Sequence, residues 1–433
     1  MMDFVISRAK SLRGEVSLPG DKSIAHRSII LSSLSRGLTR IENFPFNEDS
    51  IATIDVFNNL GITINCKRDE NKVAVLGCGL NGLSKPASSI LIKESGTTFR
   101  LMLGVLAGQD FCSKLIAGPA LSKRPMLRVT GPLRKMGAQI KARKSKREEF
   151  PPITVKGAKL KGIKYKIPVA SAQVKSAILL AALYADGTTE IDEKIKTRDH
   201  TERMLKLFGA GIEVKGNKII LKGSRDLISP GWINVPGDIS SAAFFMVLGS
   251  IAPCAHLLLR RVSLNPSRIG ILRVLKRMGA NIKVIGISQE SFEPVGDILV
   301  KSSLLKATVI KKNEIPSLID ELPILMVAAA CAKGTSVFHG AGELRVKETD
   351  RIKSMRENLS KMGVKISVSS SNSIKIKGIK ELAGAKVKSF GDHRTAMSMI
   401  VAGLCAKGKT EIDDVGCIAK SFPEFIKILD TLT

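Results

Sequence analysis

A long apolar residue, then glycine, then a small or branched residue recurs at Leu60-Gly61-Ile62, Met136-Gly137-Ala138, Phe208-Gly209-Ala210, Met278-Gly279-Ala280 and Met362-Gly363-Val364. The glycines are 76, 72, 70 and 84 residues apart, and self-similarity at such a period dictates a repeat architecture. Upstream of each lies an amphipathic segment, such as Ile352/Met355/Leu359/Met362 or Ile271/Leu275/Met278, whose 3–4 spacing gives one apolar helical stripe. Glycine then ends the helix in the left-handed conformation it adopts cheaply. One more period ends near Thr433, where Phe425–Leu432 reads as the sixth such helix.

A second helix type also appears six times, with a polar start and a nearly all-apolar body. The starts are Lys22-Ser23, Ser95-Gly96-Thr97, Ser171-Ala172-Gln173, Asp238-Ile239-Ser240-Ser241, Asp320-Glu321 and Asp392-His393-Arg394. A helix apolar all round is a buried one. Each unit of about 70 residues therefore reads strand, buried helix, strand (Gly187–Ile191), amphipathic helix and a hairpin such as Ile212–Val214 with Lys218–Leu221. This is a βαβαββ unit repeated six times.

Leu18-Pro19-Gly20-Asp21 and Val235-Pro236-Gly237-Asp238 echo each other 217 residues apart, half the chain of 433. Pro-Gly pairs punctuate elements. We read hinge crossings near 18–21 and 235–238, with one domain at 21–235 and a discontinuous one of 1–20 plus 236–433, three units in each.

Charge narrows the function. Lys and Arg number 68 against 39 Asp and Glu, a formal +29. Such an excess suits nucleic acid, an anionic membrane or small anionic substrates. Aromatics are only 4% of the chain, few for the stacking platforms of single-strand binders, which weakens the nucleic-acid reading; the motifs quoted below turn this into an expectation of no nucleic-acid partner. The basic run Lys141–Arg147 reads as a solvated turn. The longest apolar stretches, near Ala242–Leu248 and Ile324–Ala332, fall short of the ~20 residues of a membrane span, and Met1–Arg8 lacks a secretory apolar region. A soluble, cytoplasmic protein is expected. The seven cysteines lack zinc spacing and disulfide density and read as reduced, mostly core residues; no metal or cofactor is called for.

Buried helices leave their first N–H groups unsatisfied unless those ends open on a cleft, and helix starts attract anions. Lys22, Arg27, Arg100, Lys175 and Arg394 at or near these starts point to phosphate or carboxylate ligands. Ser95, Ser240 and Ser241 read equally well as N-caps.

The segment Pro19-Gly20-Asp21-Lys22-Ser23-Ile24-Ala25-His26-Arg27 resembles a signature of the 5-enolpyruvylshikimate-3-phosphate synthase family. Ser95–Arg100, Leu121–Met126, Ser171–Lys175, Arg198–Arg203, Asp320-Glu321, Arg345–Arg351, Asp392–Arg394 and Lys420–Pro423 resemble its other motifs in family order. The resemblance implies two domains of inside-out α/β barrel type, each of three βαβαββ repeats. It implies transfer of the enolpyruvyl group of phosphoenolpyruvate to the 5-hydroxyl of shikimate 3-phosphate, in aromatic amino-acid biosynthesis. By resemblance, shikimate 3-phosphate meets Lys22, Ser23, Arg27, Ser171, Ala172, Gln173, Arg198, Asp320 and Lys347. Phosphoenolpyruvate meets Lys22, Gly96, Arg124, Gln173, Arg351, Arg394 and Lys420. Asp320, beside Lys347, is the candidate base for the 5-hydroxyl, while Glu348 and Lys22 are candidates for proton traffic at C3 and the leaving phosphate. His26 and His393 read as structural support. Closure of the domains on shikimate 3-phosphate is expected, as is glyphosate competing with phosphoenolpyruvate where Gly96 leaves room an alanine methyl would fill. A monomer is expected.

Glu94 stands where the family pattern suggests an uncharged residue, and is expected to pair with Lys93 or Arg100; Pro119-Ala120 replaces a more polar pair. Gly403–Thr410 matches the phosphate-loop pattern letter for letter, yet follows an expected helix and opens an expected strand, the reverse of a true phosphate loop. A sister enzyme acting on UDP-N-acetylglucosamine carries Lys-Asn in place of Lys22-Ser23 and a reactive cysteine before the Arg-Pro pair. Pro119–Lys123 contains no cysteine.

Overall fold

A computed structural model describes residues 4–223, 226–290 and 292–432. Met1–Asp3, at the head of the stretch read above for a leader, lie outside the described residues. The chain forms two compact units, Met1–Asp21 with Pro236–Thr433, and Lys22–Val235.

Among the described residues the strands form six sheets. In the Lys22–Val235 unit, Ile90–Ile92 runs parallel to Cys112–Ala117, which pairs antiparallel with Glu148–Lys156, itself antiparallel to Gln139–Ser145. Lys164–Ile167, Thr188–Glu193, Lys218–Lys222 and Gly211–Lys215 repeat that order. The third sheet joins Ser35–Glu42, Lys72–Cys78 and Thr63–Lys67 in the same way, but its parallel strands, Leu227–Ile228 and Trp232–Asn234, come from the far end of the unit. The other unit mirrors this borrowing. Arg13–Ser17 lies parallel to His256–Ser263, which the intervening 214-residue unit separates from it in sequence. The chain thus lays down Phe4–Ile6 and Arg13–Ser17 in this unit, forms the whole of Lys22–Val235, and returns at Pro236.

The last repeat departs from the sequence reading. Thr410–Ile412 pairs parallel with Lys386–Val387, but antiparallel to Phe4–Ile6 rather than to a hairpin of its own.

The six apolar segments are helices Lys22–Leu34, Gly96–Ala107, Ala172–Ala182, Ile239–Ile251, Leu322–Ala330 and His393–Cys405. Their bodies are buried; in Ile239–Ile251 every residue but the last is buried. Removing such surface from water at roughly 25 cal/mol per Å² makes these helices the core rather than its cover. Helix Gly96–Ala107 approaches Ala172–Ala182 so closely at Gly104 that an added Cβ would stand 2.2 Å from the Ala177 carbonyl oxygen. The five repeat glycines all take positive φ, from 81° to 106°, and end their amphipathic helices as the pattern requires.

Three sequence readings need correction. Lys141–Arg147 is mostly strand: Gln139–Ser145 runs into the turn at Lys146-Arg147, and its place at the outer edge of its sheet, not a loop, exposes its charges. The cysteines are all free but not core: Cys78, Cys112 and Cys254 are exposed and the other four half-buried, because they sit at strand ends, turns and helix ends. Asp238, not Ser240, caps helix Ile239–Ile251, its carboxylate accepting from the Ser240 N–H at 2.8 Å. The phosphate-loop look-alike does follow a helix, His393–Cys405, and opens the strand Thr410–Ile412. No helix among the described residues is long and apolar enough to cross a membrane.

Candidate active site

In the Lys22–Val235 unit the candidate residues other than Arg124 and Arg198 sit at or near three helix starts. Lys22 is the first residue of its helix, and its ammonium meets the Asp49 carboxylate at 2.7 Å. Asp49 was not singled out in the sequence; its only signal is its place in the first turn of helix Glu48–Asn59. One turn on, Arg27 is braced by Ser23 O (2.7 Å), Thr201 Oγ1 (2.6 Å) and Ser176 Oγ (2.7 Å), all neutral acceptors. His26 Nδ1 lies 2.6 Å from Thr53 Oγ1, and Thr53 continues to Thr98 and Ser95. This hydroxyl chain ties the helix of Lys22 to that of Gly96, a supporting role for His26.

Gly96 follows the Ser95 cap, whose side chain accepts from the Thr98 N–H. A Cβ on Gly96 would stand 2.8 Å from Arg124 Nη1 and 3.1 Å from Arg100 Nη1, so this helix start faces two guanidinium groups. Arg100 donates to Gln173 Oε1 at 2.7 Å, and Gln173 donates to Thr97 Oγ1 at 3.0 Å. Ser171 caps helix Ala172–Ala182, and Ser171, Ala172 and Gln173 remain part-exposed above a fully buried body. Glu94 pairs with neither Lys93 nor Arg100: its two carboxylate oxygens accept the N–H groups of Ala120 (3.1 Å) and Leu121 (2.7 Å). An acid beside the cationic start thus anchors the turn that leads to Arg124.

Lys175 is not an anion ligand. Its ammonium, only 1% exposed, is held by Glu193 at 2.9 Å and Glu202 at 2.6 Å. Burial opposes its charge, but Glu202 and Glu193 outweigh that and raise its pKa above the ordinary lysine value. Arg198 is half-buried just beyond, in the segment between Glu193 and helix His200–Leu207.

The other unit gathers a second cluster. Asp320 Oδ1 lies 3.4 Å from Lys347 Nζ and 3.6 Å from Arg351 Nη1, and Arg394 donates to the Asp320 main-chain carbonyl at 2.9 Å. Arg351 bonds Asp392 at 2.8 Å and Glu348 at 2.7 Å. Burial works against this guanidinium; Asp392, Glu348 and Asp320 overcome it and hold its pKa above the usual range. Lys420 ends the short turn Gly416–Lys420, part-exposed. Asp320, Lys347, Glu348, Arg351 and Arg394 therefore form one connected cluster, in which the Asp320 carboxylate meets two cations and a third holds its main chain. Such a group is suited to take a proton while fixed positive charge stabilises developing anions.

An α/β enzyme directed at small anions is the class these features define. The family profile described as EPSP synthase (3-phosphoshikimate 1-carboxyvinyltransferase) matches residues 6–429. The chain is 48% identical over 430 residues to the 3-phosphoshikimate 1-carboxyvinyltransferase of Citrifermentans bemidjiense, covering 99% of each, and 46% identical to that of Petrotoga mobilis, covering 100% of this chain and 99% of the relative. A solved structure of the EPSP synthase from Acinetobacter baumannii superposes with a TM-score of 0.88 at 42% identity, covering 100% of this chain and 98% of that one. The chain belongs to the EPSP synthase family.

Proposed function

We propose that the chain transfers the enolpyruvyl group of phosphoenolpyruvate to the 5-hydroxyl of shikimate 3-phosphate and releases phosphate. The observation that carries this reading is the Asp320 cluster, with Lys347 and Arg351 on its carboxylate and Arg394 on its main-chain carbonyl, in a chain matched to the family over nearly its whole length. Asp320 takes the 5-hydroxyl proton as the oxygen attacks C2 of phosphoenolpyruvate, while a proton reaches C3 from Glu348 or Lys22. A proton of the resulting C3 methyl then returns to the group that supplied it as the C2–O bond to phosphate breaks, leaving the enol ether and inorganic phosphate, which carries away the proton taken from the 5-hydroxyl. Lys22, Ser23, Arg27, Ser171, Ala172, Gln173, Arg198, Asp320 and Lys347 bind shikimate 3-phosphate; Lys22, Gly96, Arg124, Gln173, Arg351, Arg394 and Lys420 bind phosphoenolpyruvate. Planar guanidinium forks suit phosphate and carboxylate oxygens.

The finer architecture belongs to the same reading: three repeats of βαβαββ type per unit, the last with Phe4–Ile6 in place of its hairpin, each unit an inside-out barrel, with hinges near 18–21 and 235–238 that close on shikimate 3-phosphate. The protein works in the cytoplasm as a monomer. Phosphate release from the two substrates together, with none from either alone or from UDP-N-acetylglucosamine plus phosphoenolpyruvate, is the expected result. Absence of turnover with both substrates overturns it.

A further inference from the structure

The two Pro-Gly-Asp echoes bond each other. Asp21 donates its N–H to Pro236 O at 2.8 Å, Asp238 donates its N–H to Pro19 O at 3.0 Å, and Gly20 bridges Gly237 in antiparallel fashion. The two passages of the chain are thereby one paired element. Both aspartate side chains then turn to a single cation. Arg268 Nη1 lies 3.2 Å from Asp21 Oδ2, and Nη2 lies 3.5 Å from Asp238 Oδ1 and 3.6 Å from Glu321 Oε1. Ser240 Oγ accepts from Nη2 at 2.6 Å and donates to Glu321 Oε1.

This group is buried: Asp21 and Glu321 have no exposure and Arg268 1%. Three carboxylates on one guanidinium are more negative charge than a stabilising pair requires, and buried charge is costly. A fold needing only a fastener here would do better with one carboxylate or none. Arg268 is itself held by its own turn: Asn265 Oδ1 accepts the Ser267 N–H at 2.8 Å, and Asn265 Nδ2 donates to Glu293 at 2.8 Å. The guanidinium is therefore a fixed point, and what it fixes is informative. Asp21 is the residue before Lys22, and Glu321 the residue after Asp320.

We propose that Arg268 is a positioning residue for the transfer reaction, holding through Asp21, Ser240 and Glu321 the main chain on which Lys22 and Asp320 are mounted. It touches no substrate. The inference rests on the proposed roles of Asp320 and Lys22. A shift of about 1 Å in a reacting group costs up to about a hundredfold in rate, while substrate contacts made by other residues survive. The signature is therefore a loss in kcat at nearly constant KM.

Three variants test it beside the parent enzyme. Ser240→Ala removes the hydroxyl shared by Arg268 and Glu321 without changing charge, Arg268→Lys keeps the charge and loses the fork, and Asp320→Ala is the control for the site. The expected result is an Asp320→Ala enzyme with little turnover, and Ser240→Ala and Arg268→Lys with kcat lowered about tenfold or more. KM for both substrates should stay within about threefold, with a near-parental melting temperature for Ser240→Ala. If Arg268→Lys does not fold, Ser240→Ala decides alone. A folded variant keeping kcat within about twofold, or losing activity only in proportion to unfolded protein, overturns the inference. If Asp320→Ala itself retains activity, the site assignment fails instead, which separates the two claims.

Discussion

The Lys175 ammonium lies 2.6 Å from Glu202 Oε1, and both side chains are sealed from water. With Glu193, which also accepts from Thr197 Oγ1, they tie the helix carrying Gln173 to the segment carrying Arg198. Burial raises the Glu202 pKa, and Lys175 offsets part of that. Removing the cation strands two carboxylates in the core. Lys175→Met is expected to destabilise the protein by about 3–5 kcal/mol in urea unfolding, and adding Glu193→Gln and Glu202→Gln should recover much of the loss. A cost below about 1 kcal/mol for the single variant would fit a wet surface pair instead.

Gly96→Ala tests the start of the second buried helix. The new methyl would press on the ends of Arg124 and Arg100, flexible groups that move without unfolding the helix. Stability should hold, while KM for phosphoenolpyruvate rises. Glyphosate is expected to compete with phosphoenolpyruvate in the parent and to inhibit Gly96→Ala far more weakly. Full parental activity at millimolar glyphosate, with substrate near its KM, would sink the competition claim.

How much of this was legible follows from what kind of signal each residue gives. The left-handed glycines and the buried helices impose a period, so Gly61, Gly137, Gly209, Gly279 and Gly363 could be placed from spacing alone, and their φ values agree. Asp49, Glu193 and Arg268 left no such trace. Their partners lie 27, 18 and 247 residues away in the chain, at Lys22, Lys175 and Asp21, and only tertiary packing brings them together. Lys175 was misread for the same reason: a lysine near a helix start looks anion-seeking until the two carboxylates that surround it are known. The antiparallel pairing of Thr410–Ile412 with Phe4–Ile6, in place of a hairpin, is equally long-range in the chain and equally hidden.

Glu94 reaches across to the turn before Arg124 and accepts two main-chain N–H groups there. Hydrogen bonds to a charged acceptor contribute about 1.5–3 kcal/mol each, and their loss should loosen this turn rather than the fold. Glu94→Ala is expected to raise KM for phosphoenolpyruvate severalfold with kcat nearly unchanged, and Glu94→Gln, which keeps one acceptor oxygen, to fall between. Steady-state kinetics with phosphoenolpyruvate varied at saturating shikimate 3-phosphate measures both. A parental KM in Glu94→Ala would show that Arg124 does not depend on this anchor.

Asp238 carries a pH dependence of definite sign. Burial, then the neighbouring Asp21 carboxylate, push its pKa from 3.8 up to about 6, against the pull of Arg268 and Arg394. Between those values the folded protein binds more protons than the unfolded chain, so the contribution of this residue to stability falls as pH rises and levels off above about 6. The penalty at neutral pH is at most about 3 kcal/mol at 1.36 kcal/mol per unit. Asparagine cannot ionise, yet its side-chain oxygen can still cap helix Ile239–Ile251. Asp238→Asn should therefore gain stability relative to the parent between pH 4.5 and pH 7, and hold that gain to pH 8. Urea unfolding of both proteins across this range measures the difference directly. A difference independent of pH would mean that the Asp238 carboxylate titrates alike in the folded and unfolded chains, and that Arg268 balances the buried charge completely.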